Sequence, residues 1–220
     1  MTLTVVKCGG AALALGSFVL ERHVEPASSV CVVHGAGARI SADLRGARIE
    51  SHFVDGRRVT SREALPVVRE AFRRENDELC RQIGERAVGL MGDELGLEAD
   101  RLDGFGHVGM LRPVVPTRLR QVLAAGDVPV IAPLARGPLN VNADDAAAIL
   151  AIALGAERLV FVSDVAGVMV DGEIVDELSA RDISGLGAAL TGGILPKLEA
   201  AIAAAREGVR AEVGATLVVA

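Results

Sequence analysis

Two lysines stand apart in this sequence. Of 23 basic side chains, 21 are arginine, and only Lys7 and Lys197 are lysine. Lysine carries a compact, rotatable ammonium and arginine a rigid planar fork. A chain that otherwise uses arginine keeps lysine where a point charge is needed, unless the count is accidental. Both lysines neighbour glycine: Lys7 opens Lys7-Cys8-Gly9-Gly10, and Lys197 follows Thr191-Gly192-Gly193 at a helix start. A second turn, His34-Gly35-Ala36-Gly37, also follows an apolar run. Glycine permits close backbone approach, and a strand-to-helix turn aims free N–H groups at an anion. The chemistry suggested is the holding of a phosphate. Each turn alone could equally serve packing, and neither matches a Walker A loop or a dinucleotide fingerprint.

Other polar groups cluster less sharply. Asn140-Val141-Asn142-Ala143-Asp144-Asp145 opens a helical pattern, where Asx residues most often act as caps. Two Asn on one extended face followed by Asp exceed what one cap requires. Asp55-Gly56-Arg57-Arg58 reads either as a solvated turn or as an arginine clamp for a carboxylate. His34 and His107 adjoin glycine turns without zinc-ligand spacing, and no Gly-x-Ser-x-Gly nucleophile turn occurs.

Composition bounds the rest. The chain has 220 residues, half of them hydrophobic, and a mean hydropathy of +0.39, which excludes global disorder. With 2% aromatic residues, no Trp and no Tyr, it lacks stacking platforms for single-stranded nucleic acid. A net charge of −6 and a pI near 5.3 argue against a polyanion partner, so no nucleic acid is expected. No apolar run reaches the roughly 18–20 residues of a membrane span, so no membrane is expected either. Cys8, Cys31 and Cys80 are odd in number and read as reduced thiols of a cytoplasmic protein.

These residues must be positioned by alternating strands and helices. Leu3–Val6, Ser29–Val33, Val88–Met91, Val108–Leu111, Val128–Leu134, Leu159–Val162 and Ala215–Val219 read as strands. Helical patterns run from Gly10 to Arg22, from Gly37 to Arg48 and, behind the capping box Thr60-Ser61-Arg62-Glu63, to Arg86, with Pro66 a candidate kink. Others cover Pro116–Ala125, Ala143–Leu154 and Leu198–Arg206. Val168–Val170, Asp171-Gly172 and Ile174-Val175 form a hairpin signal. The pattern predicts a three-layer α/β/α sandwich with a mainly parallel central sheet.

Seven blocks in order resemble the N-acetylglutamate kinases of the amino acid kinase superfamily. They are Val5–Gly10, Val33–Gly37, Phe53–Thr60, Gly106–Gly109, Leu139–Asp144, Val162–Val168 and Thr191–Lys197. The resemblance implies one domain over residues 1–220, with an acceptor half to about 140 and a nucleotide half from about 141. It implies ATP-dependent phosphorylation of the side-chain carboxylate of N-acetyl-L-glutamate in arginine biosynthesis, by a cytoplasmic homodimer. Magnesium would ride on the ATP phosphates, with no protein metal site. Lys7 and Lys197 would be catalytic cations and Asp144 the carboxylate that orients them. Gly35, Ala36, Gly37, Arg58, Asn140 and Asn142 would serve the acceptor. ATP would lie against Gly9, Gly10, Ser163, Asp164, Val165, Gly167, Ala189, Leu190, Thr191, Gly192 and Gly193. Gly9, Gly10 and Gly35 would offer N–H groups to phosphate oxygens.

The same resemblance leaves room for a kinase acting on another acidic amino acid, of the carrier-linked aminoadipate type, or for a weakly active binding paralogue. Three departures stand out. Ala36 replaces a glycine, Ile194 replaces a methionine, and residues 209–220 leave room for one strand, Ala215–Val219, where the family builds two around a helix. Weaker ATP binding is expected from that end. Arginine-sensitive members carry a helix before the first strand. Here that strand begins near Leu3, which implies insensitivity to arginine.

Overall fold

The protein is described by a computed structural model covering residues 2–9, 28–162, 166–186 and 193–220. The first half contains β1 (Leu3–Cys8), β2 (Ser29–His34), α1 (Gly37–Gly46), β3 (Phe53–Val54), β4 (Arg57–Arg58), α2 (Ala64–Ile83), β5 (Ala87–Met91), β6 (Ala99–Arg101) and β7 (Val108–Leu111). Next come α3 (Thr117–Ala124), β8 (Val128–Ala132), β9 (Leu134–Ala135), β10 (Leu139–Val141), α4 (Ala143–Leu154) and β11 (Arg158–Val162). The chain closes with β12 (Met169–Val170), β13 (Glu173–Ile174), β14 (Glu177–Ser179), α5 (Ala180–Leu186), α6 (Ile194–Arg206), β15 (Arg210–Val213) and β16 (Thr216–Val219).

The central sheet runs β14-β16-β15-β11-β1-β2-β8-β5. The run from β15 to β5 is parallel throughout; β16 turns back against β15, and β14 follows β16. Side chains two apart on a strand share a face. Val5, Val33, Ile131 and Leu159 therefore pack on one side, with Leu150 of α4 and Leu198 of α6. Their neighbours Val6, Val32, Val130 and Val160 pack on the other, with Leu79 of α2. Helices cover both faces, which is the three-layer sandwich expected from the alternating pattern.

Several boundaries differ from the sequence reading. The expected strand Val128–Leu134 divides at Pro133: β8 stays in the central sheet, while β9 joins β6-β7-β10 in a smaller one. Thr60 does not cap α2. Ser61 Oγ accepts the Ala64 N–H at 3.1 Å, while Thr60 Oγ1 donates to the Arg58 carbonyl at 2.9 Å. The helix stops at Ile83 because Gly84, at φ 96°, turns the chain out of it. Pro66 lies in its first turn, where a missing N–H costs nothing. Likewise α6 begins at Ile194, ahead of the expected Leu198, with Pro196 in its first turn.

The C-terminal expectation needs a larger correction. Residues 210–219 form two strands, not one: β15 and β16 pair antiparallel around Gly214-Ala215, with Val213 opposite Thr216. Gly214 has φ 57°, and a Cβ there would stand 2.4 Å from the Ala166 carbonyl oxygen. A two-residue turn replaces a helical connection, so the short segment still supplies two strands. The helical stretch expected up to Arg22 lies outside the described residues.

Candidate active site

The carboxyl ends of β1 and β2 and the amino end of α4 meet at a cleft of about 760 Å³, counting the open space at its mouth. Ligands bind at such strand ends in open α/β sheets. Asn142 organises the α4 side. Its Oδ1 accepts the N–H groups of Asp144 and Asp145 at 2.7 and 3.3 Å, the N-cap that the Asx pattern allowed.

Asp144 gathers the two lysines. Lys7 Nζ lies 2.9 Å and Lys197 Nζ 3.2 Å from the same carboxylate oxygen, Oδ1. All three residues are buried. Burial alone would raise the Asp144 carboxyl, but the ammonium groups of Lys7 and Lys197 outweigh it and hold it below the ordinary carboxylate range. Burial lowers Lys197, which Asp144 partly offsets and Lys7 reinforces. Two positive charges thus converge on one negative one, leaving net positive charge at a buried point and, among the described residues, ammonium donors beyond those that Asp144 takes. A methyl group at Gly9 would come within 2.9 Å of Lys7 Nζ, so this glycine clears the ammonium's path.

The second glycine turn differs in one respect from expectation. The Gly35 N–H donates to the Cys8 carbonyl at 2.9 Å, so it joins the two turns and is not free for a phosphate. Ala36 precedes α1 at φ −140°, outside the left-handed region, so alanine fits there without backbone strain. The amides that open α1 point past the helix end without intrahelical carbonyl partners. Beneath them His34 is fully buried. Asn76 Nδ2 donates to its Nε2 at 2.9 Å, so Nδ1 carries the hydrogen and donates to the Gly35 carbonyl at 3.2 Å. Burial pushes this imidazole down to about 4, and it stays neutral.

The opposite wall is the hairpin β3–β4. Arg58 donates from Nη1 to Ser51 Oγ at 2.6 Å and from Nη2 to Ser41 Oγ and the Gly37 carbonyl at 2.8 and 3.0 Å. Its guanidinium also lies 4.4 Å from the Phe53 ring centroid. Asn140 is buried at the cleft and donates to Thr60 Oγ1 at 3.1 Å. Lys7, Asp144, Gly9, Gly35, Ala36, Gly37, Arg58, Asn140 and Asn142 all line this one cleft. Lys197 reaches it through Asp144.

The remaining expected ATP residues fall differently. Gly193 immediately precedes α6. Gly167 is demanded by packing, because a Cβ there would stand 2.6 Å from Ile174 Cγ2. Gly10, Ser163, Asp164, Val165, Ala189, Leu190, Thr191 and Gly192 lie outside the described residues. Sequence reasoning missed the Arg57–Asp145 ion pair at 2.6 Å. Its signal was a second Arg beside Arg58 and a second Asp beside Asp144.

Comparison with known proteins agrees with this architecture. The model of the amino acid kinase family matches residues 2–214. An acetylglutamate kinase of Geobacillus thermodenitrificans is 38% identical over 217 residues, 91% of this chain and 84% of that relative. One of Rubrobacter xylanophilus is 39% identical over 227 residues, covering 97% and 88%. Among solved structures, smu.665 from Streptococcus mutans superposes with a TM-score of 0.87 at 24% identity, over 99% of this chain and 98% of that one. The chain belongs to the amino acid kinase family.

Proposed function

We propose that this protein transfers the γ-phosphoryl group of ATP to the side-chain carboxylate of N-acetyl-L-glutamate, a step of arginine biosynthesis. The observation that carries the reading is the shared Asp144 oxygen under Lys7 and Lys197. The acetylglutamate kinases among its relatives support the choice of acceptor. A carboxylate oxygen attacks the γ-phosphorus, the bond to the β–γ bridging oxygen breaks, and ADP leaves with that electron pair. The acceptor is already ionised at neutral pH, so no proton must move and no general base is required. What remains is alignment of two anions and compensation of charge on the transferred oxygens. Lys7 and Lys197 supply that charge, held in place by Asp144.

Arg58, Asn140, Asn142 and the turn Gly35-Ala36-Gly37 form the acceptor side. Gly9, Gly10, residues 163–167 and residues 189–193 form the nucleotide side. The acceptor half ends near residue 140 and the nucleotide half begins near 141. Magnesium enters on the ATP phosphates. Asp144 already carries two ammonium groups and does not fit as its ligand, and no cluster of three or more His, Cys, Asp or Glu among the described residues could hold a metal. No helix among the described residues is long and apolar enough to cross a membrane. A cytoplasmic homodimer completes the reading.

A coupled ADP-release assay across N-acetylglutamate, glutamate, aminoadipate and carbamate tests it. Turnover is expected with N-acetylglutamate. Turnover with another acceptor alone would reassign the substrate, and none with any of the four would favour a binding role.

A further inference from the structure

The hairpin β3–β4 has little of its own to hold it. Each strand has two residues, and an isolated two-stranded hairpin is at best marginally stable in water. Phe53 and Val54 are exposed, so apolar burial does not fix it. Its ties are polar and specific. Arg58 fastens it to α1 and the 51 loop. Arg57 reaches across the cleft, where its Nη2 donates to Asp145 Oδ2 at 2.6 Å. Both side chains of this pair are largely buried, and Arg57 Nε has no partner among the described residues. The tip touches the far side too. Gly56, at φ 72°, lies where a Cβ would stand 2.5 Å from Pro196 Cγ.

These two contacts fall beside the charge cluster in the chain. Asp145 follows Asp144, and Pro196 precedes Lys197. Both carboxylates of the Asp144-Asp145 pair belong to the first turn of α4, their N–H groups held by one Asn142 oxygen. One turn of helix therefore directs Asp144 to the lysines and Asp145 to the hairpin. A largely buried ion pair is a weak source of net stability, because desolvation opposes the Coulomb gain, but it fixes geometry closely.

We propose that Arg57 and Asp145 are positioning residues, setting the distance between the acceptor-side hairpin and the helix turn that holds the Lys7–Asp144–Lys197 cluster. Neither acts on the transferred phosphoryl group. Arg57 seats the wall formed by Phe53, Gly56 and Arg58 against α4, so the acceptor carboxylate meets the phosphoryl site at a fixed separation. This inference rests on the acceptor reading above, and its test has one arm independent of that reading.

The variants are Arg57→Leu, Asp145→Asn and Arg57→Lys in the full chain, with Arg57→Leu/Asp145→Leu as the form that leaves no unpaired buried charge if a single variant fails to fold. Hydrogen exchange across residues 52–60, without ligands, should accelerate about tenfold or more in Arg57→Leu. The Val59 N–H, which donates to the His52 carbonyl, is the most direct reporter. In steady state the acceptor KM should rise about tenfold with the ATP KM within about twofold, and Arg57→Lys should recover part of the loss. Unchanged exchange would overturn the tie. Faster exchange with an unchanged acceptor KM, or an equal rise in both KM values, would overturn the positioning role. A wild-type enzyme inactive on N-acetylglutamate would refute the proposed substrate, while the exchange arm would still decide whether Arg57 holds the hairpin.

Discussion

The cleft has two cationic walls, and they spend their charge differently. On one side Lys7 and Lys197 both rest on a single oxygen of Asp144. An ammonium has three donors, and among the described residues Asp144 is the one carboxylate paired with either lysine. On the other side Arg58 is committed to Ser51, Ser41 and the Gly37 carbonyl, and Arg57 to Asp145. The lysine wall gathers its charge on one shared carboxylate oxygen. The arginine wall divides its charge among several fixed neighbours. The contrast follows the chemistry of the two cations: a planar fork braces several acceptors at fixed angles, and a compact ammonium can share one oxygen with another.

Removing the hub of the lysine wall should give the largest effect. Asp144→Asn leaves two buried ammonium groups without a counter-charge, and breaking such a buried pair typically costs about 3–5 kcal/mol. Turnover should fall on the order of a hundredfold or more, because both cations lose their orientation. Paired kcat and thermal-melt measurements check this. A variant that melts lower but turns over normally would make Asp144 a scaffold only.

Next in size is a pH effect at the floor joining the two walls. His34 is neutral and buried, with its value lowered from 6.5 to about 4. The unfolded chain binds this proton more readily than the folded one. Its contribution is therefore complete above the unfolded value and is lost as pH falls toward the folded one. The shift corresponds to about 3 kcal/mol. Urea unfolding of wild type and His34→Gln between pH 7 and pH 4 should show the stability gap narrowing as pH drops. A constant gap would mean that another group carries the acid sensitivity.

Smaller again, Lys7→Arg and Lys197→Arg should each reduce turnover at least about tenfold with little change in stability. The guanidinium keeps the charge and loses the point geometry. If either arginine variant works at the wild-type rate, the contrast between the walls is only compositional.

Legibility followed sequence distance. The strand β1 and the Asn142 cap are local patterns, and each was readable from a few neighbouring residues. The two-residue turn at Gly214-Ala215 is also local, but its signature is a single glycine at positive φ between two short apolar runs, which reads equally as one strand. Gly35 failed for a different reason. Its N–H is taken by the Cys8 carbonyl of a neighbouring strand end, a pairing fixed by sheet register and not by the glycine itself. Arg57 and Asp145 lie 88 residues apart and meet only because the hairpin folds over α4. The doubled Arg57-Arg58 and Asp144-Asp145 mark the residues, but no local spacing pairs them.

The finest test separates bracing from binding within the arginine wall. Arg58→Lys keeps a positive charge beside Gly37 but cannot satisfy Ser51, Ser41 and that carbonyl together, since a single ammonium replaces a planar fork. It also loses the stacked contact with Phe53, whose ring centroid is 4.4 Å from the guanidinium carbon. Stability should therefore fall by about 1 kcal/mol, the scale of one or two net hydrogen bonds. If Arg58 also receives the acceptor carboxylate, the acceptor KM should rise several-fold while the ATP KM stays within about twofold. The two readouts are independent. A lower melting temperature with an unchanged acceptor KM would leave Arg58 a brace alone, and a raised ATP KM would place it on the wrong substrate.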